Sequence, residues 1–252
     1  MEETANRQFV ELERTHFWFV GRRRIFFALL DRELSGRSGI RILDVGCGAG
    51  GMLEPLARYG SVTGIDSQPE LVEFCRQRGF PNVVLGSAYE LPAETGTIDL
   101  VTLFDTIEHV PDDIRALREC RRVLAPEGRV FISTPAYQFL YANNDRVAHH
   151  ERRYTARGLR DKLAAAGLEA VKLTYFNALL FPAILPAVLA KKAIEHISDP
   201  GERTNLSHSM NPALNRVLGA IMGSERRLLA RVSLPFGHSI IAIAKPARPR
   251  ER

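Results

Sequence analysis

Short apolar runs, each closed by an acid, a glycine or a turn residue, recur through the middle of the chain. They fall near 41–45, 61–65, 82–86, 98–103 and 128–133. Runs of this length, rich in Val, Ile and Leu, are expected for strands buried on both faces. Between them lie segments whose apolar residues recur at helical spacing, near 50–59, 69–78 and 111–124. In the last of these Pro111 suits the first turn, Asp112 and Asp113 suit the positive end of the helix dipole, and Pro126 and Gly128 punctuate the exit. Alternation of strand and helix implies a parallel sheet with helices on both faces.

Further along, Thr155 opens a helix near 156–166, Gly167 stops it, and 169–176 reads as a strand. The matching final strand, Ser239 to Ala244, comes only after some 60 more residues. The intervening insertion carries a 3.6-period stripe of Leu214, Val217, Leu218, Ile221, Met222, Leu228, Leu229 and Val232. Its other apolar stretch, 178–190, is broken by Pro182 and Pro186. That stretch falls short of the ~20 residues a transmembrane helix needs. The segment around 198–212 reads as a mobile loop. At the other end, 9–34 reads as helical through Ile25, Phe26, Leu29 and Leu30. There an aromatic cluster, His16 to Phe19, leads into Arg22, Arg23 and Arg24. The organisation expected is an N-terminal helical cap at 1–38, a core at 39–176 and 237–247, and a helical insertion at 177–236.

The string Ile42 to Gly51 carries the most chemistry. An apolar run ends at Asp44, and Gly46, Cys47, Gly48, Ala49 and Gly50 follow at once. Glycines there let the backbone approach a ligand and accept the positive φ of a tight turn. A second acid, Asp66, closes the next run twenty residues after Gly46, where a ribose-binding carboxylate is expected. Gly46, Gly48 and Gly51 also satisfy G-x-G-x-x-G, so the glycines alone do not choose the cofactor. Asp44 shifts the balance, because a carboxylate beside the loop repels a pyrophosphate and suits a cationic ligand group.

The whole string resembles motif I of the class I S-adenosylmethionine (SAM) dependent methyltransferases, in particular the type 11, 12 and 23 domains. Thr97 to Val101 and Phe104 to Pro111 are similar to that family's motif IV, and Leu124 to Arg129 to the turn before its fifth strand. The subgroup most resembled is the ubiquinone-biosynthesis O-methyltransferases, which share an acid-x-x-Glu-His run matched by Asp105, Glu108 and His109. The resemblance implies a Rossmann-like, doubly wound α/β fold. Its sheet has seven strands, the last antiparallel, and here a helical insertion separates the last two. The cofactor implied is SAM. The resemblance places Asp44, Gly46, Cys47 and Gly48 at its methionine end, Asp66 on the ribose, and Ser67, Gln68, Ser87 and Ala88 around the adenine. It places the Phe104 backbone on the amine and Arg22 on the carboxylate.

For the reaction itself, His109 can take a proton from an acceptor hydroxyl, since imidazole titrates near neutral pH. Asp105, Glu108 and His109 can instead hold a divalent cation, or form a structural cap for the helix after Pro111. These roles stay open, and no metal is assigned as a resident cofactor. A second polar cluster, His149, His150, Arg152, Arg153 and Tyr154, follows the long loop after the fifth strand. His149, His150 and Tyr154 are further catalytic candidates, and the arginines suit a phosphate or carboxylate on the acceptor.

Bulk properties narrow the partners only slightly. The chain has 34 basic and 29 acidic residues and a net charge of +5, without a long basic tract, so nucleic acid is not expected. Three cysteines without paired spacing fit a reducing, cytoplasmic compartment. Met1 to Gln8 is polar and unlike a signal peptide. The expected activity is O-methylation of a small-molecule, lipid-linked or glycan acceptor, with peripheral membrane contact through the insertion. The rival readings are an NAD(P)-dependent oxidoreductase and a catalytically inactive SAM-binding partner protein.

Overall fold

A computed structural model describes residues 10–195 and 210–248. The polar N-terminus and most of the expected loop at 198–212 lie outside the described residues. Seven strands form one sheet: β1 (Ile40–Val45), β2 (Gly60–Asp66), β3 (Val83–Leu85), β4 (Ile98–Phe104), β5 (Leu124–Pro135), β6 (Leu168–Phe176) and β7 (Ser239–Pro246). Their order is β3-β2-β1-β4-β5-β7-β6. β7 runs antiparallel to both β5 and β6, and the pairs among β1 to β5 are parallel.

Burial on both faces explains the apolar runs. Leu100, Phe131, Ile241 and Ile243 face one helical layer, while Val101, Leu103, Ile240 and Ala242 face the other. Successive side chains point to opposite faces, so a strand covered on both sides is apolar at most positions. The second layer is built from α4 (Asp113–Val123) and α6 (Ala156–Ala165), through Leu117, Cys120, Leu159 and Leu163. Asp112 caps α4 by accepting from Arg115 N, and Thr155 caps α6 by accepting from Gly158 N. α3 (Pro69–Gln77) covers β2 and β3 through Val72 and Cys75.

In the first layer lies α1 (Phe17–Glu33), whose Ile25, Phe26, Leu29 and Leu30 are buried against the sheet. It packs along α8 (Pro212–Leu229), from the insertion. Gly21 lets the two helices meet: a Cβ there would lie 2.8 Å from Met222 Sδ. Met222 is fully buried at this contact, worth roughly 1.5–3 kcal/mol. Asn215 adds a polar clamp, accepting from Phe17 N at 2.7 Å and donating to Thr15 O at 2.6 Å. The apolar stripe read along α8 is therefore two stripes. Met222 and Leu229 are buried, whereas Leu214, Val217, Ile221, Leu228 and, just past the helix end, Val232 are exposed. The insertion's first helix, α7 (Phe181–Glu195), carries Pro186 inside it, and no helix among the described residues is long and apolar enough to cross a membrane.

The helix expected at 50–59 shrinks to α2 (Leu53–Leu56). The chain then enters β2 at Gly60, which pairs with Ile40 so closely that a Cβ there would collide with the Ile40 backbone.

Candidate active site

The strand order reverses between β1 and β4, and in open α/β sheets that switch point opens the ligand crevice. A cavity of about 1150 Å³ lies there, bordered by the carboxyl ends of β1, β2 and β4, and by the chain at 135, 177 and 238–239. Its floor is the glycine loop. Gly46 N and Cys47 N both donate to Ile65 O, at 2.7 and 3.0 Å. Gly46 has φ of 71°, and a Cβ on it would collide with the Thr106 side chain. Asp66 ties this loop to the next: its carboxylate accepts from Gly48 N at 2.8 Å and from Gln68 N at 3.0 Å.

Asp44 lies underneath, 2% exposed, and accepts from Thr102 Oγ1 at 2.7 Å. Burial pushes its carboxyl up to about 7. It does not border the cavity, and neither does Cys47, whose thiol the hydrogen-bonded Cys75, and after it burial, hold well above its ordinary range. Ser67, Gln68, Ser87 and Ala88 border it beyond β2 and β3, and Phe104 at the end of β4. From above, α1 supplies Trp18, Phe19 and Arg22. Arg22 forms an ion pair with Asp105, which has φ of 52° and accepts from Ser133 Oγ at 2.9 Å.

Past β4 three groups converge. Glu108, His109 and His150 each offer a ligand atom, and these atoms lie within 4.8 Å of one another. The Glu108 side chain is fully buried. Its Oε2 accepts from Thr134 Oγ1 at 3.0 Å, and its Oε1 has no partner. Burial, reinforced by the Asp105 charge, raises its carboxyl well above the usual range. His109 meets the His150 ring edge to face at 4.7 Å, and burial together with the His150 charge lowers its pKa. His150 is aimed by Asp145, on α5 (Asn143–Val147), whose Oδ1 lies 2.8 Å from His150 Nδ1. Burial works against the Asp145 carboxylate, yet bonds from His150 and from Arg153 Nε and Nη2 hold it at about 2.

The remaining sequence candidates lie elsewhere. The His149 side chain is exposed and does not border the cavity. Tyr154 is buried behind the site, its hydroxyl donating to Asp113 Oδ2 at 2.8 Å, so it is placed as a structural residue and not in the cluster. Arg152 is held by Asp113 and the Val110 and Pro111 carbonyls, so neither it nor Arg153 is free for an anionic acceptor. His150 replaces Asp105 in the converging trio.

Residues 43–132 match the family model described as a methyltransferase domain. A ubiquinone biosynthesis O-methyltransferase of Xanthomonas oryzae pv. oryzae is 45% identical over 104 residues. The match covers 38% of this chain and 44% of that protein, so the chain spans less than half the length of the curated relatives it matches. Among solved structures, a putative methyltransferase in complex with the Haloferax volcanii Trm112 methyltransferase activator superposes with a TM-score of 0.60 at 17% identity. That superposition covers 100% of this chain and 97% of the other. A SAM-dependent methyltransferase from Archaeoglobus fulgidus gives 0.59 at 21% identity, over 94% and 98% of the two chains. Residues 43–132 are thus similar to a methyltransferase domain, and the chain shares the fold of these methyltransferase structures.

The cavity fits SAM. The glycine loop is a cradle that a Cβ would fill, and Asp66 faces the cavity with its carboxylate fixed by two backbone N–H groups. The volume also exceeds the ~300–1,000 Å³ of ordinary ligand pockets, leaving room for an acceptor beside the cofactor. Sequence reasoning missed Asp145, Asn177 and His238 here. The last two are 61 positions apart in the chain. Only the β6–β7 register, which pairs Phe176 with Ser239, brings them together.

Proposed function

We propose that this protein transfers a methyl group from SAM to a hydroxyl oxygen of a small-molecule acceptor that carries an apolar part. The observation that carries the reading is the convergence of Glu108, His109 and His150 in the cavity that holds the glycine loop and Asp66. When bound, SAM supplies a methyl sulfonium whose methyl passes to the acceptor oxygen, the C–S bond pair staying on sulfur as a thioether. Asp66 and the loop fix the ribose and methionine ends, so the reacting atoms are aligned before reaction. His109, its pKa lowered, is neutral at pH 7 and can accept the hydroxyl proton, while His150, braced by Asp145, orients that oxygen. The name of the Xanthomonas relative favours oxygen over nitrogen or carbon.

The same trio supports a second reading, in which one carboxylate and two imidazoles hold a divalent cation that lowers the acceptor's pKa. Asp145 behind His150 is the outer carboxylate such ligands use. Methyl transfer to a catechol, measured with and without EDTA, separates the two. Activity that EDTA abolishes and Mg²⁺ restores favours the cation. EDTA-insensitive activity favours the base, and absence of transfer by a SAM-binding protein refutes both.

The exposed stripe of Leu214, Val217, Ile221 and Leu228 borders the exposed Arg216 and Arg227 on α8. An apolar stripe flanked by cations suits the surface of an anionic membrane. This supports peripheral contact and an acceptor drawn from a lipid phase.

A further inference from the structure

The wall of the cavity opposite the glycine loop contains polar groups that the methyl-transfer reading does not use. Asn177 closes β6. It is fully buried, borders the cavity, and neither its Oδ1 nor its Nδ2 has a partner. Its φ of 55° is left-handed, a conformation for which glycine is the default and asparagine a tolerated substitute. A glycine would satisfy that backbone without burying an amide, and an orphaned buried polar group costs roughly 1–3 kcal/mol. His238 sits beside it, just ahead of β7, with its Nδ1 also sealed and unpartnered. Burial lowers its pKa to about 4, although the nearby Asp145 and Asp105 charges oppose this and Arg153 assists it. The ring is therefore neutral at pH 7 and offers a donor or an acceptor.

The charges bordering the cavity disfavour an anion at this pair. Among the described residues bordering the cavity, five carboxyl groups (Glu13, Asp66, Asp105, Glu108, Asp145) face two guanidinium groups, Arg22 and Arg153. Both guanidinium groups are already paired with acids. Ile184, Val188 and Met210 supply apolar wall from the insertion. Because β7 and β6 lie one and two strands beyond β5, the pair sits on the order of 10 Å from the Thr134–Glu108 end of the site.

From these observations we infer that Asn177 and His238 form a second acceptor subsite, which binds an uncharged oxygen-bearing group, hydroxyl, carbonyl or amide, remote from the oxygen that is methylated. The inference rests on the methyl-transfer reading for the word acceptor, but the subsite itself is testable without catalysis. The acceptor then has a reacting hydroxyl at one end, an uncharged polar group at the other, and apolar surface between.

Trp18 provides the readout. It is the single tryptophan of the chain, borders the cavity, and meets His238 edge to face at 5.7 Å. Its fluorescence is titrated with 3-(3,4-dihydroxyphenyl)propanamide and with the matching propanoate, in the presence and absence of S-adenosylhomocysteine. The wild type is expected to bind the amide about tenfold or more tighter than the carboxylate, and Asn177→Gly and His238→Phe each to lose about tenfold for the amide. S-adenosylhomocysteine affinity by calorimetry stays within about twofold in both variants, which marks the loss as local to the subsite. Equal or tighter binding of the carboxylate, no saturable response to the amide, or wild-type amide affinity in a folded variant overturns the inference. The wild-type comparison decides it even if both variants unfold. Failure of S-adenosylhomocysteine to bind while the amide preference persists would defeat the cofactor reading and leave the subsite standing.

Discussion

Replacing Asp66 by Asn removes one charge while keeping the shape of the side chain. In the native protein both carboxylate oxygens accept backbone N–H groups, from Gly48 at 2.8 Å and Gln68 at 3.0 Å. An amide must turn its NH₂ toward one of those donors, so one charge-assisted hydrogen bond is lost whichever way it flips. Such a bond is worth about 1.5–3 kcal/mol, and Asp66 is only 8% exposed, so solvent cannot replace it. On the proposed reading the same oxygens accept from the ribose diol, so SAM binding is expected to lose a comparable amount, a factor of roughly 10–150. Calorimetric titration with SAM reads the binding loss, and urea unfolding reads the stability loss separately. A folded Asp66→Asn protein that binds SAM within about twofold of wild type would refute the ribose assignment, reducing Asp66 to a brace between two loops.

Asp145→Asn should weaken the orientation of His150, lowering methyl-transfer turnover about tenfold or more while SAM affinity by calorimetry is unchanged. His238 titrates at about 4 in the fold against 6.5 ordinarily, so the stability it contributes is present above pH 6.5 and lost as pH falls toward 4. The loss amounts to at most about 3 kcal/mol, and the melting temperature of wild type should drop more steeply over that window than that of His238→Phe. Val217→Glu combined with Ile221→Glu, both at exposed positions, should abolish co-sedimentation with anionic liposomes and leave the melting temperature nearly unchanged. Undiminished co-sedimentation would remove α8 as the contact surface.

Much of the fold is legible in the sequence because the strands are apolar runs closed by a turn residue, and the central ones, β1, β4, β5 and β7, are buried on both faces. All seven strands fall close to where those runs lie. The spacing of Met52, Leu53 and Leu56 fits a helix running to 59, while the tight pairing of Gly60 with Ile40 in the sheet belongs to tertiary packing. In α8 the buried and exposed stripes merge into one period along the chain, and only α1 shows which is covered. The glycine loop, Asp66, Glu108 and His109 are legible because their chemistry is local to a strand end. Asp145 gave no signal, since its partners His150 and Arg153 are assembled by an irregular loop. Asn177 and His238 meet only through strand register, which no local pattern encodes.

The central claim is that this cavity methylates oxygen. The direct test is to supply SAM labelled with ¹³C at the methyl group together with 3-(3,4-dihydroxyphenyl)propanamide, and to read the carbon spectrum of the product. A methoxy resonance on the ring oxygen is expected, formed by the wild type and lost in His109→Ala. A label attached to nitrogen or carbon, or equal product from His109→Ala, would contradict it.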